Sequence, residues 1–111
     1  MGDIVNGCCD SVETTPGGVS AGKASKITAT TTPTAIPAIA NRVSVTILNN
    51  DAIGSGVMVW VGFTAIEATD AGGGFPVRPQ GGIAMDYDAS VDIYVSCDSG
   101  TVELRLMEAG N

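Results

Sequence analysis

The sequence predicts an all-β domain, a small antiparallel β-sandwich or jelly-roll-like barrel that follows an extended N-terminal arm. Residues 43–107 contain at least five short segments in which apolar and polar residues alternate, as the two faces of a half-buried strand require. Turn-forming residues separate these segments at intervals of roughly ten residues, which is typical of sandwiches and small barrels. Helical periodicity is absent throughout, so a parallel sheet with crossover helices is excluded.

The first 40 residues differ in composition from the rest of the chain. They are rich in Gly, Ser, Ala and Thr, and Pro33 and Pro37 favour extended backbone at the residues before them. Residues 26–32 suit a first edge strand. We therefore divide the chain into an N-terminal arm, residues 1–24, and a β-sandwich domain, residues 25–111.

The arm carries apolar side chains that a purely solvated tail would lack, namely Ile4, Val5, Cys8, Cys9 and Val12. This pattern predicts that the arm docks on a partner and becomes ordered on contact, with Ile4, Val5 and Val12 as partner-binding residues. The alternative interpretation is plain disorder.

Strand parity predicts the hydrophobic core. In the alternating segments, one face collects the aliphatic residues, and we expect these to be mostly buried. The set is Val45, Ile47, Val59, Val61, Ile93, Val95, Leu104 and Leu106. Cys97 shares the parity of Ile93 and Val95, so we expect it to be a small buried hydrophobe.

Two turn regions give specific expectations. Residues 98–100, Asp-Ser-Gly, are the strongest hairpin signal in the chain and predict that the flanking strands pair with each other. Pro76 and Pro79 cannot donate ladder hydrogen bonds, so residues 75–80 are expected at a sheet edge. Phe75 would then plug one end of the core together with Val77, and Gly81 and Gly82 would supply positive φ angles.

Residues 57–63 depart from alternation because both faces of the segment are apolar. Val57, Val59, Val61 and Phe63 lie on one face, and Met58 and Trp60 lie on the other. Trp and Met are enriched in the cores of protein interfaces. Met58 and Trp60 are therefore predicted partner-binding residues, unless a loop or the arm of the same chain covers them.

Composition excludes several classes of function. Five Lys and Arg residues against twelve Asp and Glu give a net charge of -7, which disfavours binding to nucleic acid. The chain has no His, the commonest general base, and no recognisable catalytic, metal-binding or phosphate-binding motif. We therefore expect no enzyme activity and no cofactor. No apolar run approaches the roughly 20 residues that span a membrane, so no membrane partner is expected.

Low charge and high hydrophobicity together indicate contact with partners. Only 15% of the residues are charged, against about 25% in average soluble proteins. A domain this small also buries only about two-thirds of its unfolded-chain surface. We expect a homo-oligomer, with Met58 or Trp60 at or near a subunit contact. The adjacent Cys8 and Cys9 match no zinc spacing; they are either reduced thiols or a cross-link between subunits.

Four motifs resemble small β-sandwich virion proteins of tailed bacteriophages, the decoration, cement or stabilisation proteins of heads and related modules of necks and tails. They are RVSVTILNN at residues 42–50, VWVG at 59–62, GFPVRPQGG at 74–82 and DSGTVELR at 98–105. The pattern is a strand ending in Asn, a V-x-V-G strand, a G-F-P-L-x-P-G-like turn and a closing D-S-G-T-V-E-V-R-like strand. Gln80 intervenes before Gly81, and the likeness does not extend to the arm.

This resemblance implies a structural role in a virion. The expected function is that of a capsid decoration or cement protein that binds and stabilises the major capsid protein lattice, on the capsid surface of a particle assembled in the host cytoplasm. A trimer is slightly favoured, because decoration sites often lie on threefold or quasi-threefold axes. The alternatives are a neck or tail adaptor, and a host-surface or glycan-binding module on the virion.

Overall fold

The computed structural model describes residues 21–111. In this range the chain forms eight strands and no helix. They are β1 (Ala21–Thr30), β2 (Thr34–Ala35), β3 (Arg42–Asn49), β4 (Val59–Gly62), β5 (Phe75–Val77), β6 (Gly82–Met85), β7 (Tyr94–Cys97) and β8 (Thr101–Gly110).

The strands form two antiparallel sheets of four. Sheet I has the order β1-β8-β3-β6, and sheet II has the order β2-β7-β4-β5. The pairing is nested, since β1 pairs with β8, β2 with β7, β3 with β6 and β4 with β5. This is a long antiparallel ribbon folded over itself, the arrangement of an eight-stranded jelly roll. The predicted all-β antiparallel sandwich is confirmed.

Strand β1 is longer than the sequence predicts. It starts at Ala21, because Ala21 to Ala24 continue the antiparallel ladder with Gly110 to Met107 of β8. The predicted boundary at residue 25 therefore falls inside this strand. The rest of the predicted arm, residues 1–20, lies outside the described residues.

The core lies between the two sheets. All eight residues predicted from strand parity are buried, and Val45, Ile47, Val59 and Leu104 are completely inaccessible to solvent. Cys97 is also buried, as predicted. Because apolar residues of one parity from six strands meet here, the burial of this layer is the main stabilising contribution to the fold.

A bulge at the start of β3 changes which residues face inward. Arg42 lies opposite Gly110, but Ser44 lies opposite Ala109, so one extra residue is inserted at Val43. A bulge of this kind reverses the alternation of side chains on its far side. Arg42 therefore points into the domain and is only 1% exposed.

The hairpin predicted at residues 98–100 is wrong. These residues form a tight turn with Gly100 at a φ of 63°, but β7 belongs to sheet II and β8 to sheet I. The turn is an arch that carries the chain from one sheet to the other. A short turn with a left-handed glycine serves both geometries, so the local sequence does not distinguish them.

Two expectations for residues 75–82 are also wrong in detail. Phe75 is 57% exposed instead of filling the core, because it begins a three-residue edge strand, and only Val77 is buried. The positive φ lies at Gln80, at 63°, and not at Gly81 or Gly82. Backbone N–H groups of Gln80 and Gly81 donate to the carbonyls of Asn49 and Arg78 and hold this conformation. The edge position of β5 agrees with the prediction.

Candidate binding site

Trp60 lies on the outer surface of sheet II, at the centre of β4. Its cross-strand neighbours are Pro76 of β5 and Ser96 of β7. The indole Nε1–H donates to Oδ1 of Asp98 at 2.6 Å, so the polar end of the ring is satisfied and its orientation is fixed. Trp60 is half-buried, which leaves part of the ring available for contact.

Asp98 also positions Met58. The second carboxylate oxygen of Asp98 accepts the backbone N–H of Met58 at 3.2 Å, and the Asp98 N–H donates to the Met58 carbonyl at 3.1 Å. Met58 is half-buried like Trp60. The two predicted partner-binding residues are thus held by one carboxylate.

A shallow depression of about 330 Å³ adjoins Met58. Its lining includes Ile53, which is 83% exposed, together with Arg78 and Pro79. Met58, Trp60, Pro76 and this depression form a surface that we call the Trp60 face. An apolar floor with one guanidinium at its rim suits contact with another protein.

A loop of the same chain covers the neighbouring part of sheet II. Residues 63–74 fold back so that Ala68 is fully buried and its carbonyl accepts the Ser96 hydroxyl. A side chain at Gly62 would lie 2.7 Å from Glu67 and Ala68, and one at Gly72 would overlap the Ile66 carbonyl. Glycine is therefore required at these positions, and the loop covers Gly62 and Ser96 while Trp60 stays half-exposed.

The other predicted partner-binding residues, Ile4, Val5 and Val12, lie outside the described residues, as do Cys8 and Cys9. The structure thus brings Met58 and Trp60 together, and docking of the arm stays a prediction.

Sequence reasoning missed a second apolar surface at one end of the sandwich. The rings of Phe63 and Tyr87 meet edge to face at 5.1 Å, and both are more than one-third exposed. Ile66, in the loop 63–74, is 81% exposed. Phe63 was expected on the inward face of β4, but this strand ends at Gly62. Phe63 therefore lies in the following loop and is exposed.

Two buried polar side chains at opposite ends of β3 fix the loops. At one end, the Arg42 guanidinium donates to the carbonyls of Tyr87, Asp88 and Val91 at 2.8–3.0 Å. At the other end, the Asn49 amide donates to the carbonyls of Val57 and Val77, and its oxygen accepts the Asp51 N–H. The loop that carries Tyr87 is therefore held by the buried Arg42, and the backbone next to Met58 is held by the buried Asn49.

Three titratable groups among the described residues have shifted pKa values, and one of them is Glu103, whose pKa is lowered by its hydrogen bond with the Arg105 side chain. Hydrogen bonds from the Ser90 hydroxyl and N–H lower the pKa of Asp88, which fixes a negative charge in the loop beside Tyr87. Burial raises the pKa of the Cys97 thiol, whose sulfur lies 3.5–3.6 Å from the carbonyls of Ala29, Ser99 and Gly100. A buried thiol with a raised pKa is a poor nucleophile, so Cys97 serves packing.

Within residues 21–111, no group of three or more cysteine or acidic side chains is placed to hold a metal ion. The same residues include no helix of the length and hydrophobicity that crossing a membrane requires. Comparison with protein-family models gives no match for this chain, and comparison with curated proteins gives none either.

Proposed function

We propose that this protein is a structural binding protein that acts through the Trp60 face, and specifically a capsid decoration or cement protein of a tailed bacteriophage. In this role the Trp60 face contacts the major capsid protein lattice or a neighbouring subunit and reinforces the particle. The virion assignment rests on the sequence resemblance of residues 42–107.

The observation that carries the binding role is the placement of Trp60. A large aromatic ring lies on an outer sheet surface with its N–H already bonded to Asp98, so burial of the ring against a partner leaves its polar atom satisfied. Hot spots of protein interfaces are enriched in Trp and are surrounded by groups that exclude water. Met58 and the adjoining depression supply such surroundings.

The fold is compatible with this role but does not assign it. Jelly rolls occur in viral capsid and lectin domains, among other proteins, and one fold hosts many functions. The proposal therefore depends on the surface residues and on the resemblance.

The test is co-sedimentation with shells assembled from the major capsid protein of the same genome. The unchanged protein should sediment with the shells, while the Trp60→Asp and Met58→Asp variants should stay in the supernatant. Ile66→Asp is the matched control, because Ile66 is apolar and exposed but belongs to the loop 63–74. Equal binding by all four proteins, with folding verified by circular dichroism, would contradict the assigned face. Absence of binding by the unchanged protein would contradict the decoration role.

A glycan-binding module is the second candidate, and the Phe63–Tyr87 pair favours it. Two exposed rings, one of them on the residue that precedes Asp88, offer an apolar surface, and the Asp88 carboxylate supplies a hydrogen-bond acceptor in the same loop, as sugar recognition requires. Trp60 and Tyr94, two further large aromatic side chains that lie in sheet II, are both half-buried. Binding to a glycan array that Phe63→Ala abolishes and Trp60→Ala preserves would favour this candidate.

A further inference from the structure

The two ends of the sandwich carry exposed apolar surfaces of opposite local charge. At one end, the buried Asn49 of β3 holds the backbone of Val57. At the other end, the buried Arg42 of β3 holds the loop that carries Tyr87. Arg42 and Asn49 are the first and last residues of β3, roughly 23 Å apart at the rise of an extended strand, so the two surfaces are separate.

The first surface is the depression of the Trp60 face. Among the described residues, Arg78 is the charged residue that lines it. Its volume of about 330 Å³ is at the lower end of the range of ligand pockets, about 300–1,000 Å³, which suits single side chains. Within residues 21–111, Arg42 and Arg105 pair with glutamates, whereas Arg78 forms no ion pair. An exposed guanidinium beside an apolar floor binds carboxylates and stacks on aromatic rings.

Hydrogen bonds between two loops keep this depression open. The Gln80 side chain donates to the Asp51 carbonyl at 2.8 Å, which ties the turn that carries Arg78 to the loop that carries Ile53. Neither Asp51 nor Asp98 lines the depression, so no carboxylate of these two residues faces its occupant. A preformed site of this kind loses little conformational entropy on binding.

The second surface is the ring pair Phe63–Tyr87, which acidic residues adjoin. Phe63 is 45% exposed and Tyr87 is 38% exposed. Asp86 and Asp88 flank Tyr87 in the chain, and the Glu67 carboxylate accepts the Phe63 N–H at 3.1 Å. Aromatic ring faces attract guanidinium groups, and the neighbouring carboxylates add to that attraction.

No exposed base of the same loops neutralises these carboxylates. In residues 63–74 and 86–92, which carry the two rings, every charged residue is acidic. Arg42 bonds the second loop through backbone carbonyls only, and its own charge is balanced by the buried Glu108. The ring pair is therefore complementary to a surface with an exposed base and an apolar floor.

We propose that this protein self-associates head to tail, with the Phe63–Tyr87 end of one copy seated in the depression of the next. Arg78 then meets the rings and carboxylates of the neighbouring copy, and Ile53 and Met58 cover its apolar edges. A second copy is favoured over another protein because every copy supplies both complementary surfaces. Such a contact is heterologous, so it forms a ring where the rotation between copies closes. The inference deepens the proposed function, since it assigns a neighbouring subunit to the depression.

Mixing of two variants tests the head-to-tail contact. Arg78→Glu disables the depression and leaves the rings intact, and Tyr87→Asp does the reverse. Each variant alone should sediment as a monomer, because its dissociation constant for self-association rises by roughly tenfold or more. An equimolar mixture should form a heterodimer and nothing larger, because only one intact depression and one intact ring pair can meet.

Lys26→Glu and Met107→Asp are the matched controls, because both residues are exposed on the outer surface of sheet I. Both variants should sediment like the unchanged protein. Circular dichroism verifies folding, and Tyr87→Ser replaces Tyr87→Asp if the latter unfolds.

A mixture that stays monomeric would overturn the proposal, because mixing does not restore a contact between identical surfaces. Retention of the oligomer by Arg78→Glu or Tyr87→Asp alone would also overturn it, as would an unchanged protein that is monomeric at high concentration. If Tyr87→Asp keeps its oligomer and loses binding to a glycan array, the rings belong to a sugar site instead. These measurements use the isolated protein, so their failure is distinguishable from a failure to bind capsid shells.

Discussion

The guanidinium of Arg42 lies 3.7 Å from the carboxylate of Glu108 in the interior of the domain, where the two residues are 1% and 3% exposed. Glu108 belongs to the set of β8 residues whose side chains face the core. Arg42 also faces the core, because the bulge at Val43 reverses the alternation of side chains at the start of β3. The same Glu108 carboxylate accepts the backbone N–H of Ile39 at 3.3 Å. The pair therefore joins both central strands of sheet I to two loops.

Removing one member of this pair should destabilise the fold strongly. We expect Glu108→Gln to lower the free energy of unfolding by about 3–5 kcal/mol, because a buried charge loses its partner. Arg42→Met should lower the free energy of unfolding by at least as much, since three carbonyls also lose their hydrogen-bond donor. The double variant Arg42→Met/Glu108→Leu should recover part of the loss.

Urea unfolding measures these changes, and the exposed pair Glu103–Arg105 supplies the control. Glu103→Gln on the same strand should change the free energy of unfolding little, because solvent screens that pair. Equal losses for Glu103→Gln and Glu108→Gln would contradict the importance of burial.

Asn49 should be more important for stability than its neighbour Asn50. Asn49→Ala leaves the carbonyls of Val57 and Val77 and the Asp51 N–H without their partner, at about 1–3 kcal/mol for each group kept from water. Asn50 bonds only the partly exposed Glu103 through its side chain, so Asn50→Ala is the matched control. Thermal unfolding monitored by circular dichroism compares the two, and a smaller effect at Asn49 would contradict the assigned network.

The core prediction concerns Leu104, which is completely buried at the centre of β8. Leu104→Ala should lower the free energy of unfolding by about 2–5 kcal/mol through lost burial and the remaining cavity. Ile53→Ala, at an 83% exposed aliphatic residue, should stay within about 0.5 kcal/mol of the unchanged protein. Chemical denaturation of both variants provides the measurement.

The assembly prediction concerns Trp60. We expect a homo-oligomer, with a trimer slightly favoured, and Trp60→Asp should shift it to the monomer in sedimentation velocity while its circular dichroism is retained. Trp60→Phe separates two roles of the ring, because it keeps most of the apolar area and loses the bond to Asp98. Unfolding of Trp60→Asp would instead show that Trp60 supports its own domain. A monomer at high concentration would refute the oligomer.

The Cys97 thiol should react only after the domain opens. Burial raises its pKa, so little thiolate is present at pH 8, and the surrounding carbonyls leave no approach for a reagent. In the Cys8→Ser/Cys9→Ser variant, labelling by Ellman's reagent should be slow in buffer and fast in urea. Rapid labelling in buffer would show that the arch at residues 98–100 opens locally.

The sequence predicted the parts of the fold that depend on strand parity. Residues such as Ile47 and Val95 could be assigned to the core because alternation alone fixes which face is apolar. Met58 and Trp60 were also placed correctly on the opposite face from Val59 and Val61.

The remaining features depend on contacts distant in sequence. The burial of Arg42 follows from a bulge that the local sequence does not predict. The turn at Gly100 has the sequence of a hairpin, and only the pairing partners of β7 and β8 show that it connects two sheets. The Phe63–Tyr87 pair joins residues 24 positions apart, and the groove on sheet I that is lined by Lys26, Leu48 and Met107 is formed by three strands drawn from the two halves of the chain.

The central position of β8 has a consequence for synthesis on the ribosome. β8 separates β1 from β3, so neither of these long strands has a sheet I partner beside it on that side until residues 101–110 leave the exit tunnel. Among the described strands, β1 is made first and β8 last, so the backbone edge of β1 that pairs with β8 stays unpaired while residues 31–100 are synthesised. A ribosome that stops before Thr101 therefore releases a product in which β1 lacks its partner β8, and quality-control proteases should remove it.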